Sequence, residues 1–178
     1  KFEPGLGALK FAQLRWGMLA IFVYVGVEVT IQSNMGALLA LPQFGGLSTA
    51  QISPYISLYW GSLMIGRWTG AISAFNFKPS TKKLLMIVLP IVAYIIVLLA
   101  NYLRGNEITN LLPYSLCVAA LIAGSFLAQE KPARMLFIFS AGGILAMLVG
   151  LFTEGQVAMF AFISGGLCCS IGWPCIFA

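Results

Sequence analysis

Three polar side chains in the first apolar stretch share one face of the helix predicted there. Tyr24, Glu28 and Gln32 follow one another at intervals of four residues, which stacks them along one side of an α-helix. Asn34 stands at the same interval from Thr30 on a neighbouring face. A carboxylate, an amide and a phenol on one stripe can hydrogen-bond several hydroxyl groups of a polyol, and the carboxyl group can also carry a proton. The spacing therefore predicts a binding site for a hydroxyl-rich ligand.

The second apolar stretch supplies aromatic and cationic groups. Tyr59 and Trp60 could present a flat platform to the CH face of a sugar ring, or could lie at a lipid interface. Arg67 stands inside the stretch, and three interpretations stay open for it. Arg67 could pair with Glu28, extend its long side chain to the membrane interface, or pack against a domain outside this chain. We predict a role in gating or coupling for Arg67.

The last apolar stretch contains Trp173 and Pro174. Proline frees a backbone carbonyl and kinks a helix, which predicts gating at Pro174. Trp173 beside it is predicted to point into a cavity and bind substrate, with helix packing as the alternative. All the polar residues named so far have a second interpretation as clamps that hold helices together without any ligand.

The elements that position these groups must be membrane helices. The chain has 178 residues, of which 60 % are apolar and 8 % charged, whereas soluble domains carry about 25 % charged residues. The absence of His excludes a His-based catalytic or metal site, and no GxxxxGK[ST] loop for a nucleotide occurs. We therefore expect no enzyme, no cofactor and no metal. The net charge of +5 lies in the short connections, which indicates membrane topology rather than binding of nucleic acid.

The predicted fold class is an all-α, polytopic bundle of transmembrane helices. A spanning helix needs about 20 mostly apolar residues. Six stretches meet this length, and we treat them as a single transmembrane domain: 14–41, 52–75, 83–103, 111–128, 134–152 and 156–178. The third and fourth are predicted to be peripheral and lipid-facing.

The positive charges predict the orientation. With six spans, eight Lys and Arg residues fall on one side of the membrane and Arg104 alone on the other, while Arg67 is within a span. The side rich in cations faces the cytoplasm in most membrane proteins. The N-terminus and the loops 76–83 and 129–134 are therefore predicted to be cytoplasmic. Because the chain begins without Met and stops inside an apolar run, we expect a fragment of a longer protein.

Three segments resemble sugar transporters of the major facilitator superfamily, in the branch of fucose:proton symporters and glucose/galactose transporters. The segment FVYVGVEV at 22–29 resembles the seventh helix of that family, and SLYWGSLMIGRWTG at 57–70 resembles the eighth. The segment GLCCSIGWPCIF at 166–177 is similar to the tenth. The three segments occur in the family's order.

The resemblance implies part of the C-terminal half of a twelve-helix transporter, with the substrate held near the midplane between two halves. It implies symport of a hexose or 6-deoxyhexose, with a proton or sodium as the coupling ion, in the plasma (inner) membrane. The acidic residues tied to proton coupling would lie in the N-terminal half, which this chain lacks. The family pattern has one helix where three are counted here, so 83–128 is predicted to be an inserted hairpin. The alternative function is a non-transporting membrane scaffold or assembly subunit.

Overall fold

Helices are the regular elements of every part of the chain that the structure describes. The computed structural model describes residues 7–72, 75–128 and 131–177. The all-α class is confirmed in these ranges by the helices α1 (Ala12–Leu39), α2 (Thr49–Ala71), α3 (Pro79–Leu103), α4 (Ser115–Leu127), α5 (Pro132–Phe152), α6 (Gly155–Ser170) and α7 (Gly172–Phe177). A 3-10 segment, Thr109–Tyr114, leads directly into α4.

Five helical segments are long and apolar enough to cross a membrane: Ala12–Leu39, Pro79–Leu103, Thr109–Leu127, Pro132–Phe152 and Gly155–Ile176. They match five of the six predicted spans, so the chain is a polytopic helical bundle. The predicted span 52–75 corresponds to α2, which has 23 residues but is less apolar than the five. A membrane crossing by α2 stays a prediction. Lys1, residues 73–74, Gln129, Glu130 and Ala178, on which several predictions fall, lie outside the described residues.

Local sequence signals place the beginnings of several helices. At the start of α2, the side chain of Gln51 accepts a hydrogen bond from the backbone N–H of Ser48 at 3.0 Å, and the two residues form a capping box. Pro79 and Pro132 stand in the first turns of α3 and α5, where the missing N–H of proline breaks no helical hydrogen bond. These signals explain why the observed helix bounds lie within a few residues of the predicted ones.

The centre of the bundle is the contact between α2 and α6. Gly66 of α2 approaches α6 so closely that a Cβ there would overlap the Ser170 hydroxyl. In the other direction, Gly166 of α6 lies against the ring of Tyr59, which is 1 % exposed. Glycine lets two helix backbones approach each other in this way, and dispersion contacts then hold them together. Helix α2 is therefore fixed in depth and rotation relative to α6.

Helices α3 and α4 are only partly peripheral, which corrects the prediction that they face lipid alone. Asn101 of α3 is fully buried and donates a hydrogen bond to the Ser57 hydroxyl of α2 at 3.1 Å. Tyr114, just before α4, is also fully buried and exchanges a 2.7 Å hydrogen bond with Ser62. The opposite face of α3 carries exposed apolar side chains, among them Ile91. The outer face therefore suits lipid, while polar contacts hold the inner face to α2.

Helix α1 is attached to the bundle along a narrow strip. Met35 and Leu39, both near its C-terminal end, are its buried residues. Many of its other apolar side chains, such as Phe22, are exposed. The helix contacts α2, α6 and α7. The polar stripe described next lies on this contacting side.

The long apolar segment at the C-terminal end is broken into α6 and α7 at Ile171. Pro174 has no N–H to donate to the carbonyl of Ser170, so the regular ladder of hydrogen bonds is interrupted there. The hydrogen bond from the N–H of Cys175 to the carbonyl of Ile171, at 3.2 Å, begins the next turn. The predicted discontinuity at Pro174 is thus present, and it stands next to α1 and α2.

Candidate functional site

An ion pair joins α1 to α2. A guanidinium nitrogen of Arg67, Nη2, donates to Glu28 Oε1 at 2.7 Å. The Glu28 side chain is 14 % exposed and that of Arg67 is 42 % exposed. Of the three interpretations offered for Arg67, the structure shows the pairing with Glu28. This pairing directs the guanidinium toward α1, while contact with a domain outside this chain or with an interface stays a prediction.

Tyr24 completes a three-residue network on α1 and α2. Its hydroxyl donates to the second carboxylate oxygen of Glu28, as the spacing of four residues predicts. Arg67 Nη2 also donates to the Tyr24 hydroxyl at 3.2 Å. The carboxylate thus accepts from both a phenol and a guanidinium, and charge-assisted hydrogen bonds of this kind are stronger than neutral ones. We call Tyr24, Glu28 and Arg67 the charged cluster.

Neighbouring helices hold the charged cluster in position. The Tyr59 hydroxyl donates to the backbone carbonyl of Glu28 at 3.0 Å, which fixes α1 against α2 at this depth. Gly172, at the start of α7, is so close to the Tyr24 ring that a Cβ there would come within 2.6 Å of it. Pro174 packs on Gly70 in the same region. The broken end of α6–α7 therefore supports both sides of the cluster.

The platform predicted from Tyr59 and Trp60 does not form. Tyr59 is 1 % exposed, with its ring against Gly166 and its hydroxyl committed to Glu28, so no ring face is available to a ligand. Trp60 instead is 48 % exposed and lines a cavity of about 740 Å³ between α1 and α2. Adjacent residues on a helix point in directions about 100° apart, which explains the separation.

The other predicted site residues lie at different distances from the charged cluster. Gln32 is half-buried, one turn beyond Glu28 on the same face of α1. Asn34 is exposed on another face, and its Nδ2 donates to the Thr30 carbonyl of its own helix at 2.8 Å. Trp173 is 48 % exposed, next to the residues that contact Tyr24 and Gly70. The structure therefore brings Tyr24, Glu28 and Arg67 together, with Gln32 adjacent, and leaves Asn34 apart.

Several buried polar residues were absent from the sequence prediction. Asn101 and Tyr114 join α3 and α4 to α2, and Ser57 accepts from Asn101. Asn101 and Tyr114 lie in apolar stretches where no pattern of polar residues marks them, whereas Ser57 follows Ser53 and Thr49 at intervals of four residues, a signal that was not used. The nearest available signal was that an amide inside a spanning helix must find a hydrogen-bond partner.

The charged cluster suits hydrogen bonding to a polar ligand. Arginine keeps its charge in proteins, and a carboxylate with free lone pairs accepts from hydroxyl groups. The Nε of Arg67 is buried and has no partner among the described residues. In the same ranges, no group of three or more Cys, Asp and Glu side chains lies close enough to hold a metal ion. The arrangement can therefore bind hydroxyl groups and carry fixed charge within the membrane.

Comparison with known proteins relates part of the chain to sugar transporters. In an alignment of 75 residues that covers 39 % of this chain, it is 35 % identical to the glucose/galactose transporters of Brucella abortus biovar 1 (strain 9-941) and Brucella abortus (strain 2308). The match covers 18 % of the length of each relative, so the chain spans only a small part of the proteins it resembles. No protein-family model matches the chain, and no solved structure matches it significantly.

Proposed function

We propose that the chain is part of a secondary active transporter for a monosaccharide, a hexose or 6-deoxyhexose, that works by alternating access. The observation that carries the proposal is the charged cluster of Tyr24, Glu28 and Arg67 within apolar helices. Ionisable groups cost about 2.5–3.5 kcal/mol at the centre of a spanning helix on insertion scales, so those that occur usually serve binding or transport. The similarity to glucose/galactose transporters of Brucella abortus supports the choice of substrate class.

The cluster is open on one side, as a binding site must be. The Arg67 side chain is 42 % exposed although Glu28 beside it is 14 % exposed. Sugar hydroxyls reaching this side would accept hydrogen bonds from the guanidinium and donate to the carboxylate. We assign substrate binding to Tyr24, Glu28 and Gln32, with Trp173 at the edge of the site. Asn34 and Trp60 would contact sugar at other points of its path, because neither adjoins the cluster.

Coupling is assigned to Arg67 and to the helix break at Pro174. A ligand that competes for Glu28 weakens its pair with Arg67, and the Tyr24 ring then loses its place against Gly172 of α7. Discontinuous helices commonly form the substrate sites of secondary transporters, around which one bundle rocks against the other. The coupling ion in this proposal is a proton, with sodium as the alternative, and the proton carrier lies in another part of the protein.

The rest of the site is proposed to come from the N-terminal half of the same protein. In transporters built from two such halves, substrate lies near the midplane between them. The exposed apolar side chains of α1 suit contact with that half or with the lipid bilayer. We propose a plasma (inner) membrane location in which the N-terminus and the loops 76–83 and 129–134 face the cytoplasm, from the distribution of Lys and Arg.

Uptake of labelled glucose, galactose and fucose by vesicles that contain the full-length protein tests the proposal. E28Q keeps the size of the side chain but removes its charge, so we expect the initial uptake rate to fall at least tenfold while membrane abundance stays unchanged. The matched control is E107Q, which makes the same change at an exposed position in a connection. Wild-type rates in E28Q, or equal losses in both variants, would contradict the assignment of Glu28.

The alternative is a scaffold in which polar contacts only hold helices together. It is favoured by hydrogen bonds between helices away from the cluster, such as the one between Ser62 and Tyr114. A scaffold predicts no sugar-dependent uptake by the wild-type protein, and it predicts that E28Q lowers abundance rather than rate. Quantifying the protein in the same vesicles therefore separates the two functions.

A further inference from the structure

An open cavity with a mostly apolar lining lies between the C-terminal end of α1 and the first half of α2. Its volume is about 740 Å³, within the range of about 300–1,000 Å³ that small-molecule sites occupy. Gly36 and Ala40 line it from α1, and Trp60 and Ser53 line it from α2. Trp60 precedes Arg67 by seven residues, which places the two about 10 Å apart along α2. Tyr24, Glu28 and Arg67 are not among the residues that line the cavity, so we treat it as separate from the charged cluster.

A ladder of hydroxyl groups faces the cavity. Thr49, Ser53 and Ser57 follow one another at intervals of four residues and all line it. Elsewhere on α2 the hydroxyls of Ser62 and Thr69 each donate to the carbonyl four residues back, both at 2.7 Å. Among the described residues, the three hydroxyls of the ladder donate no such bond. Their hydrogens therefore remain available to a ligand.

Ser57 is oriented by the helix behind it. Asn101 of α3 donates from Nδ2 to the Ser57 hydroxyl oxygen at 3.1 Å and to the Val97 carbonyl at 2.9 Å. The amide oxygen of Asn101 accepts in turn from Asn106 at 3.1 Å. A serine hydroxyl oxygen that accepts a hydrogen bond still has its own proton to donate, which for Ser57 can go toward the cavity. Asn101 thus supports a donor at the wall of the cavity.

The remaining lining indicates the class of ligand. The Trp60 side chain is 48 % exposed, and an exposed indole offers an apolar face to the CH groups of a ring. No carboxylate is among the described residues that line the cavity, so this lining does not favour a cation. Arg104, at the end of α3, is the charged residue of the lining and can donate several hydrogen bonds. Together, the hydroxyl groups, the indole face of Trp60 and the guanidinium of Arg104 match a neutral monosaccharide.

We propose that this cavity is a second monosaccharide site, which receives sugar before it reaches the charged cluster. The proposal rests on the transport function proposed above, and it adds a site formed by Thr49, Ser53, Ser57, Trp60 and Arg104. Arg104 lies on the side opposite the loops predicted to be cytoplasmic, so the site opens to the outer face of the membrane. Sugar bound there would raise the local concentration of sugar near the charged cluster.

Protection of an introduced cysteine tests local binding. S53C is placed in full-length protein whose native cysteines have been replaced, and it is labelled from outside with a membrane-impermeant maleimide. We expect glucose or galactose to slow the labelling of S53C. T109C, at an exposed position that is not among the residues lining the cavity, is the matched control whose labelling should not respond. An unreactive S53C, or equal protection of T109C, would overturn the proposal.

Substitution of Trp60 tests the role of the indole face. In the S53C protein, W60L should raise the half-protecting sugar concentration about tenfold, the equivalent of about 1.4 kcal/mol. W60Y, which keeps an aromatic face, should restore protection to near its original concentration dependence. Unchanged protection in W60L overturns the assignment, and so does stronger protection by glucuronate than by glucose, since that identifies an anion site at Arg104.

Failure of this proposal can be told apart from failure of the transport function. Protection of S53C reports occupancy of the cavity, while uptake reports transport. In the E28Q background we expect uptake to fall and protection to persist, because the two sites are about 10 Å apart. In S53C protein that retains Glu28, uptake without protection would refute the second site alone, and protection without uptake would refute the transport function alone.

Discussion

Removing both members of the Glu28–Arg67 pair should destabilise the bundle by less than the sum of the two single losses. The E28A variant leaves the Arg67 guanidinium without its carboxylate, with Nε already buried and without a partner among the described residues. The R67A variant leaves the carboxylate with the Tyr24 hydroxyl as its remaining donor in the cluster. The double variant E28A/R67A has neither charge. Its loss of stability should therefore be smaller than the sum of the two single losses.

The size of this coupling follows from the exposure of the two groups. Breaking a fully buried ion pair costs about 3–5 kcal/mol, whereas exposed pairs contribute about 0–1 kcal/mol. Because Arg67 is 42 % exposed and Glu28 is 14 % exposed, we expect each single variant to lose about 1–2 kcal/mol. The coupling energy should then be about 1 kcal/mol, within the range of up to about 1.7 kcal/mol measured for polar contacts between membrane helices.

A double-mutant cycle measures the coupling directly. The free energy of unfolding is determined by reversible denaturation of the full-length protein in mixed micelles, for the wild type, both single variants and the double variant. A parallel cycle that combines E107A with R67A should be additive, because Glu107 is exposed in a connection. Additivity of E28A and R67A within about 0.3 kcal/mol would refute the argument that this pair joins α1 to α2.

Three further substitutions test the packing of the helices. G66A should lower the free energy of unfolding by about 1–3 kcal/mol, because the added Cβ would overlap the Ser170 hydroxyl. G26A should be neutral or slightly stabilising, because a Cβ there would have no heavy atom within 4 Å. Thermal unfolding of both variants checks these opposite effects. Y114F should cost about 0.6 kcal/mol, since it removes the hydrogen bond to Ser62 from a fully buried site, and a loss no different from that of a surface Tyr→Phe change would contradict this.

The sequence predicted the parts of the site that depend on one helix. The interval of four residues between Tyr24 and Glu28 determines that they share a face, whatever surrounds the helix, and their hydrogen bond is present. Helix bounds were also predictable, because apolar length and prolines in first turns act locally. Five of the six predicted spans correspond to helices with the length and apolarity to cross a membrane.

Contacts between helices could not be predicted to the same degree. Arg67 pairs with Glu28 because close contacts at Gly66 and Gly166 determine the depth and rotation of α2 relative to α6, and no spacing within one helix encodes these values. The separation of Tyr59 from Trp60 has the same origin, since only the rotation of α2 decides which of two neighbours is buried. The polar link from Asn101 to Ser57 likewise depends on how α3 meets α2.

Helix α1 is buried only near its C-terminal end, at Met35 and Leu39, whereas polar contacts hold it at the depth of Glu28. Glu28 stands 11 positions from Leu39, about 16 Å along the axis. A tilt of about ten degrees around Leu39 displaces the carboxylate by about 3 Å, which is the full length of a hydrogen bond. A small angular change at the anchored end is thus enough to disconnect the two charges.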